Sequence, residues 1–217
     1  MGSSFENVQV YIGSQDKKTA HQTIIDALDA LVLRGDYAET EADHPDNADL
    51  TLIVSPVSDE AWISVYLYHE WGRCIPEEFL FPRLAQALSA EVSYPVVGIL
   101  VHDSDVLRLD YYQGGALVDQ FDNEWVMGYE RSEAPPDRIR DGHPERWRDL
   151  LRPGTAPDAL RAAWNKEEVF IEDRLTIMAF LLGMNSDLVQ TYPQELVETD
   201  ALDFFFMMYR RSPRKSA

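Results

Sequence analysis

Alternation and apolar runs divide the chain into a series of elements. Val8-Gln9-Val10-Tyr11-Ile12 alternates among β-formers and predicts an opening strand, broken by Gly13-Ser14-Gln15-Asp16. Ile24, Ile25, Leu28, Leu31 and Val32 then fall on one stripe at helical spacing. A helix is expected over 19–34, with Gly35 as its stop. The polar stretch 39–49 holds Pro45, Asp46 and Asn47 and reads mostly as loop. Leu50-Thr51-Leu52-Ile53-Val54 is a second strand. A third covers 61–68, with Trp62, Ser64, Tyr66 and Tyr68 on one face and Ile63, Val65 and Leu67 on the other.

Pro76 and Pro82 bracket the start of a second helix that carries Phe81, Leu84, Ala85 and Leu88 to about position 92. Pro95-Val96-Val97-Gly98-Ile99-Leu100-Val101 follows as a buried strand. His102-Asp103-Ser104-Asp105 reverses it, 106–112 alternates as a strand, Gln113-Gly114-Gly115 is a tight turn, and 116–121 is another strand. This is a β-meander over about 95–121. Past Glu124 the texture changes. The stretch 132–154 is rich in Pro, Arg and Asp, interrupted by a short helix at 144–151. Further helices are expected at 157–164 and 167–182, the latter stopped by Gly183. The run 202–209, with Phe204-Phe205-Phe206-Met207-Met208, is too short for periodicity to decide between strand and helix.

Strands first and a helical C-terminal third point to an α+β fold: an antiparallel or mixed sheet, including the meander, packed against helices. The organisation expected is an acidic sheet-bearing core over 1–130 and a helical extension of the same domain over 131–209. The basic segment Arg210-Arg211-Ser212-Pro213-Arg214-Lys215 opens a tail, 210–217, expected to be disordered.

Composition narrows the classes. Hydrophobic residues make up 45% of the 217, enough for a core and too many for wholesale disorder. No apolar run approaches the roughly 18 residues of a membrane span, and the first residues lack the basic and apolar regions of a signal peptide. Cys74 is the only cysteine, which suits a reducing compartment, so a cytoplasmic setting is expected. The net charge of −19 is uneven: residues 1–130 hold 23 acids and 6 bases, residues 131–217 hold 15 and 13. Such a surface repels phosphate backbones and anionic lipids, so neither nucleic acid nor membrane is an expected partner. Acidity alone keeps a protein soluble; concentrated in one half, it also attracts a basic protein and speeds the encounter.

The segments Leu84-Ala85-Gln86-Ala87-Leu88-Ser89, Val101-His102-Asp103-Ser104-Asp105-Val106-Leu107 and Gly115-Ala116-Leu117-Val118-Asp119-Gln120-Phe121 resemble a set of uncharacterised bacterial proteins. That resemblance implies a bacterial source and supplies no activity.

Candidate chemistry gathers first at the turn after the buried strand. Asp103 and Asp105 flank Ser104, and Asp110, Asp119 and Asp122 follow on the next strands or just beyond. Hard cations want several converging oxygens, but Asp and Ser are also ordinary turn formers, and the spacing is not that of an EF-hand. His69 and Glu70, with His102, would complete a ligand set of the kind Zn²⁺ or Fe²⁺ takes, though no second His follows at zincin spacing. Cys74 follows Arg73 without a recognisable histidine base, and no nucleophile elbow, phosphate loop or dinucleotide glycine fingerprint occurs. No cofactor is implied. Trp62, Tyr66 and Tyr68 would make an aromatic binding platform if their face were open, and core if a helix covers it.

Two readings follow. One is a non-enzymatic acidic module that binds a basic protein, as an immunity-like inhibitor or an adaptor does. The other is a divalent-metal-binding domain or metal-assisted hydrolase centred on residues 102–105.

Overall fold

Val8 and Val10 leave the first strand on one face, Asn7 and Gln9 on the other, and all four are buried. A strand buried on both faces belongs in the middle of a covered sheet. In the computed structural model, which describes residues 4–68, 79, 81–123, 142–166, 170–199, 201 and 203–212, that is where it lies. The strands are β1 (Phe5–Tyr11), β2 (Tyr37–Glu39), β3 (Leu50–Val54), β4 (Trp62–Tyr68), β5 (Val96–His102), β6 (Val106–Gln113), β7 (Ala116–Asp122) and β8 (Phe205–Arg211). They form one sheet in the order β2-β8-β3-β4-β1-β5-β6-β7, with every neighbouring pair antiparallel.

Helices cover both faces. On one lie α1 (Lys17–Leu33) and α2 (Arg83–Glu91). The stripe Ala20, Ile24, Leu28 and Val32 of α1 and Leu84, Ala85 and Leu88 of α2 pack on Val8, Val10, Ile63, Val65 and Val96. The Asp16 side chain caps α1 by accepting from the Thr19 amide at 2.9 Å. The helix ends at Arg34 in right-handed conformation rather than through a left-handed Gly35.

The opposite face carries the 3₁₀ segment Pro144–Leu150, α3 (Pro157–Trp164), α4 (Ile171–Leu182), α5 (Ser186–Gln190) and α6 (Pro193–Glu198). Trp147, Leu160, Trp164, Leu175, Met178 and Leu182 pack there against Val97, Ile99, Leu107, Leu109 and Phe121. Gly183 stops α4 in left-handed conformation (φ 71°), with the Met184 amide bonding back to the Ala179 carbonyl at 2.9 Å.

The chain is α+β, and its meander runs through β5, β6 and β7 as expected. Both hairpin turns have two central residues at positive φ: Gly114 and Gly115 in one, Asp103 (φ 52°) and Ser104 (φ 57°) in the other. Within the 202–209 run, Phe205 to Tyr209 resolve as strand, because they pair with Val54 to Leu50 of β3. The expected disordered tail is corrected at its start. Arg210 and Arg211 belong to β8 and pair with Ala38 and Tyr37, while 213–217 lie outside the described residues. No helix among the described residues is long and apolar enough to cross a membrane.

Candidate functional site

The aromatic strand face is core. Trp62 is 3%, Tyr66 0% and Tyr68 8% exposed, so these residues form no open platform. Instead they fasten the C-terminal helices to the sheet. The last carbonyls of a helix have no partner within it, and buried sheet donors supply one here. Trp62 Nε1 donates to Leu182 O at 2.8 Å at the end of α4. Tyr66 Oη donates to Leu188 O at 2.7 Å, and Asn7 Nδ2 to Val189 O at 2.7 Å, both in α5. Gln9 donates to Asn7 at 2.8 Å and accepts from Ser64 Oγ at 2.9 Å, completing a buried polar seam between β1 and β4. Burial pushes the Tyr66 phenol well above its usual range, against a smaller opposing effect of Ser64. Tyr68 Oη donates to Asp46, and Tyr209 Oη to Asp29 of α1 at 3.0 Å.

The five candidate carboxylates of the meander do not converge. Asp103 and Asp105 are exposed at the β5–β6 turn with His102, whose Nδ1 lies 3.5 Å from Ser4 Oγ. Asp110 is fully buried on the α1–α2 side. It accepts from Arg108 Nε at 2.9 Å and Nη2 at 2.7 Å, from Tyr112 Oη at 3.1 Å and from Gln120 Nε2 at 2.6 Å. Burial alone pulls the Arg108 guanidinium down, but its hydrogen bonds and charge pairing with Asp110, with a contribution from Asp122, outweigh that and hold it above its ordinary value. The guanidinium also sits 5.2 Å from the centre of the Phe81 ring. Asp122 is half-buried opposite Arg108 in register. Asp119 points the other way, into the C-terminal helical layer.

Among the described residues no group of three His, Cys, Asp or Glu is placed to hold a metal ion. His69, Glu70, Trp71 and Cys74 lie outside the described residues.

No family model, no curated protein and no solved structure matches this chain. What it does has to be read from its own surfaces.

Asp119 is the acid that joins the edge strand to the C-terminal helical layer. Its fully buried carboxylate accepts from the His143 amide at 2.6 Å, from Trp147 Nε1 at 2.7 Å and stands 3.1 Å from His143 Nδ1. Arg146 lies 3.6 Å away and donates to Val118 O at 2.7 Å, covering part of the outer edge of β7. An imidazole held this way keeps its other nitrogen outward, and the His143 side chain is 52% exposed. Through these bonds the arrangement ties 143–147 to the sheet edge. Sequence reasoning named Asp119 but missed these partners. The available signal was an acid between the apolar Leu117 and Phe121, a position that demands a buried donor.

Glu6, on the α1–α2 side of β1, was also missed. It borders an apolar hollow lined by Val8, Val65, Leu67, Phe79, Phe81, Leu84 and Ala85. The hollow measures about 10 Å³, room for about one water molecule and for no substrate. Burial raises the Glu6 carboxyl above its ordinary value, partly offset by a hydrogen bond from the Phe81 amide. An open cleft of about 520 Å³ separates the start of α1 from the loop after β3. Its lysine at 17 is within 3.9 Å of Asp59, and Asp16 already occupies the helix cap.

The surface feature with one consistent chemistry is the segment around β2. Asp36, Glu39, Glu41, Asp43, Asp46 and Asp49 are all exposed within fourteen residues (36–49) that contain no Lys or Arg. Arg210 Nη2 reaches in to Asn47 O at 3.4 Å, and the Arg211 amide donates to Asp49 at 2.9 Å. The folding is local: His44 accepts from the Asp46 amide at 3.3 Å and Pro45 starts a 3₁₀ turn. Asn47 Nδ2 donates to Asp43 at 2.7 Å.

Proposed function

We propose that this protein is a non-enzymatic binding module whose acidic, sheet-bearing half takes a basic protein partner, in the manner of a bacterial immunity-like inhibitor or an adaptor. The observation that carries the reading is the exposed carboxylate series of 36–49 at the β2 edge of the sheet. It adds to the acid excess of residues 1–130, 23 acids to 6 bases. Charges of one sign on one end of a rigid sheet steer an oppositely charged partner and fix its orientation. A cytoplasmic setting belongs to this reading. The divalent-metal alternative lacks a gathered ligand set among the described residues.

The test is a pull-down from a bacterial lysate at low and at high salt, with the bound protein identified by mass spectrometry. It is run beside a variant carrying Glu39→Lys, Glu41→Lys and Asp43→Lys. A basic protein retained at low salt, released at high salt and lost with the variant supports the reading. Retention indifferent to both salt and charge reversal overturns it.

A further inference from the structure

The sheet is unfinished beside that acidic segment. β2 covers only one half of the outer edge of β8: Tyr37, Ala38 and Glu39 pair with Arg211, Arg210 and Tyr209, and the last contact is the Thr40 amide on Met208 O at 3.0 Å. The chain then leaves the edge, and no strand among the described residues pairs with Phe205, Phe206 or Met207 on that side. Backbone groups on a strand alternate sides. Since the carbonyl of Met208 faces outward to Thr40, the amide and carbonyl of Phe206 face outward too. An open strand edge is a template for another strand, and proteins usually blunt one with charge, proline or a cover. Here the stretch Phe204-Phe205-Phe206-Met207 has neither charge nor proline, and Phe205 is 46% exposed.

From this edge we infer that the basic partner docks by strand addition: an extended segment, basic and apolar at alternating positions, pairs with β8 at 205–207 in line with β2. The inference rests on the acidic-module reading above and names how the partner binds. Charge complementarity selects the occupant. The added strand would run between exposed Asp203 at the start of β8 and exposed Glu41 and Asp43 where the chain leaves β2. Lysine or arginine side chains on it would meet those carboxylates, an apolar residue would cover Phe205, and main-chain bonds to Phe206 would set the register.

The experiment uses the full chain, isotope-labelled for NMR, and a synthetic peptide of alternating lysine and valine. Two further peptides of the same sequence carry backbone N-methyl groups at all valines or at all lysines. Methylation keeps charge and side chains but removes the donors that a pairing strand needs. The parent peptide should protect the Phe206 amide from exchange and shift the signals of Glu41 and Asp43. One of the methylated peptides should bind roughly tenfold more weakly, as loss of one or two net hydrogen bonds predicts. If all three peptides bind equally, shift the acidic signals and leave the Phe206 amide unprotected, strand addition is overturned while the acidic reading stands. Self-association of the chain that protects Phe206 without peptide also overturns it, because a second copy is then the occupant. If no peptide binds, the strand inference falls, and the lysate experiment alone decides the acidic reading.

Discussion

Trp147 donates its indole N–H to the fully buried carboxylate of Asp119 at 2.7 Å, and this bond joins the edge strand β7 to the first turn of the C-terminal helical layer. The same carboxylate takes the His143 amide at 2.6 Å, so one side chain holds the start and the middle of the 3₁₀ segment. Replacing Asp119 by Ala would leave a buried indole donor without a partner and remove the acceptor of the His143 amide, while Arg146 keeps its bond to Val118 O. Leaving a buried donor without its acceptor costs roughly 1–3 kcal/mol. Asp119→Ala should therefore lower the urea midpoint strongly, with hydrogen exchange rising first at 143–150. An unchanged midpoint would show that the node is ornamental.

Glu6 makes stability pH-dependent in the direction opposite to most carboxylates. Its folded-state value lies above the ordinary 4.5 because burial disfavours the charged form. A raised acid stabilises the fold when protonated, and that contribution disappears as pH rises through the folded value. Glu6→Gln keeps the shape without the charge, so it should be more stable than the parent at pH near neutral. The advantage should vanish as pH falls to the ordinary carboxyl value. Unfolding free energies of the two proteins across that range check it, and a gap that does not change with pH would contradict it.

These groups show where sequence reading stops. The bounds of β3 and α3 were legible from local signals: Leu50-Thr51-Leu52-Ile53-Val54 is a compact run rich in β-formers, and Pro157 opens its helix at the first position. β2 was not, since three residues carry no period and its partner β8 lies at the far end of the chain. The Phe-rich run became a strand only through its register with β3, a long-range pairing that no local pattern encodes. At the site level, the Asp103–Ser104 turn drew notice for chemistry, whereas its two positive φ values show what those residues accomplish there. Asp119 was legible as a candidate, but its donors His143 and Trp147 come from beyond another stretch of chain.

The Tyr66 hydroxyl bonds the sheet to α5 through Leu188 O at 2.7 Å, beside the Asn7 bond to Val189 O. Tyr66→Phe leaves that carbonyl only the Thr191 amide, at 3.3 Å, and should cost about 0.5–1.5 kcal/mol by denaturant melting. Burial raises the phenol, so the fold favours its protonated form. The contribution is therefore present below the ordinary tyrosine range and lost as pH rises through and beyond it. The alkaline limb of the stability curve should be shallower in Tyr66→Phe than in the parent. Identical limbs would mean that the phenol titrates freely in the folded state.

Gly98 is a close-approach glycine rather than a turn glycine. A Cβ there would stand 2.7 Å from Phe81 Cε2 and 3.1 Å from Ala85 Cβ, where α2 crosses β5. Phe81 cannot withdraw without consequence: its ring carries the Arg108 guanidinium and its amide bonds Glu6. Gly98→Ala should thus destabilise by roughly 1–3 kcal/mol, the usual cost of overpacking. The cause is separable by a double mutant. Phe81→Leu removes the ring edge that the new methyl meets, so adding it to Gly98→Ala should cost less than the two single changes summed. Strict additivity in urea melts would place the cost of Gly98→Ala in the backbone instead of in the contact with Phe81.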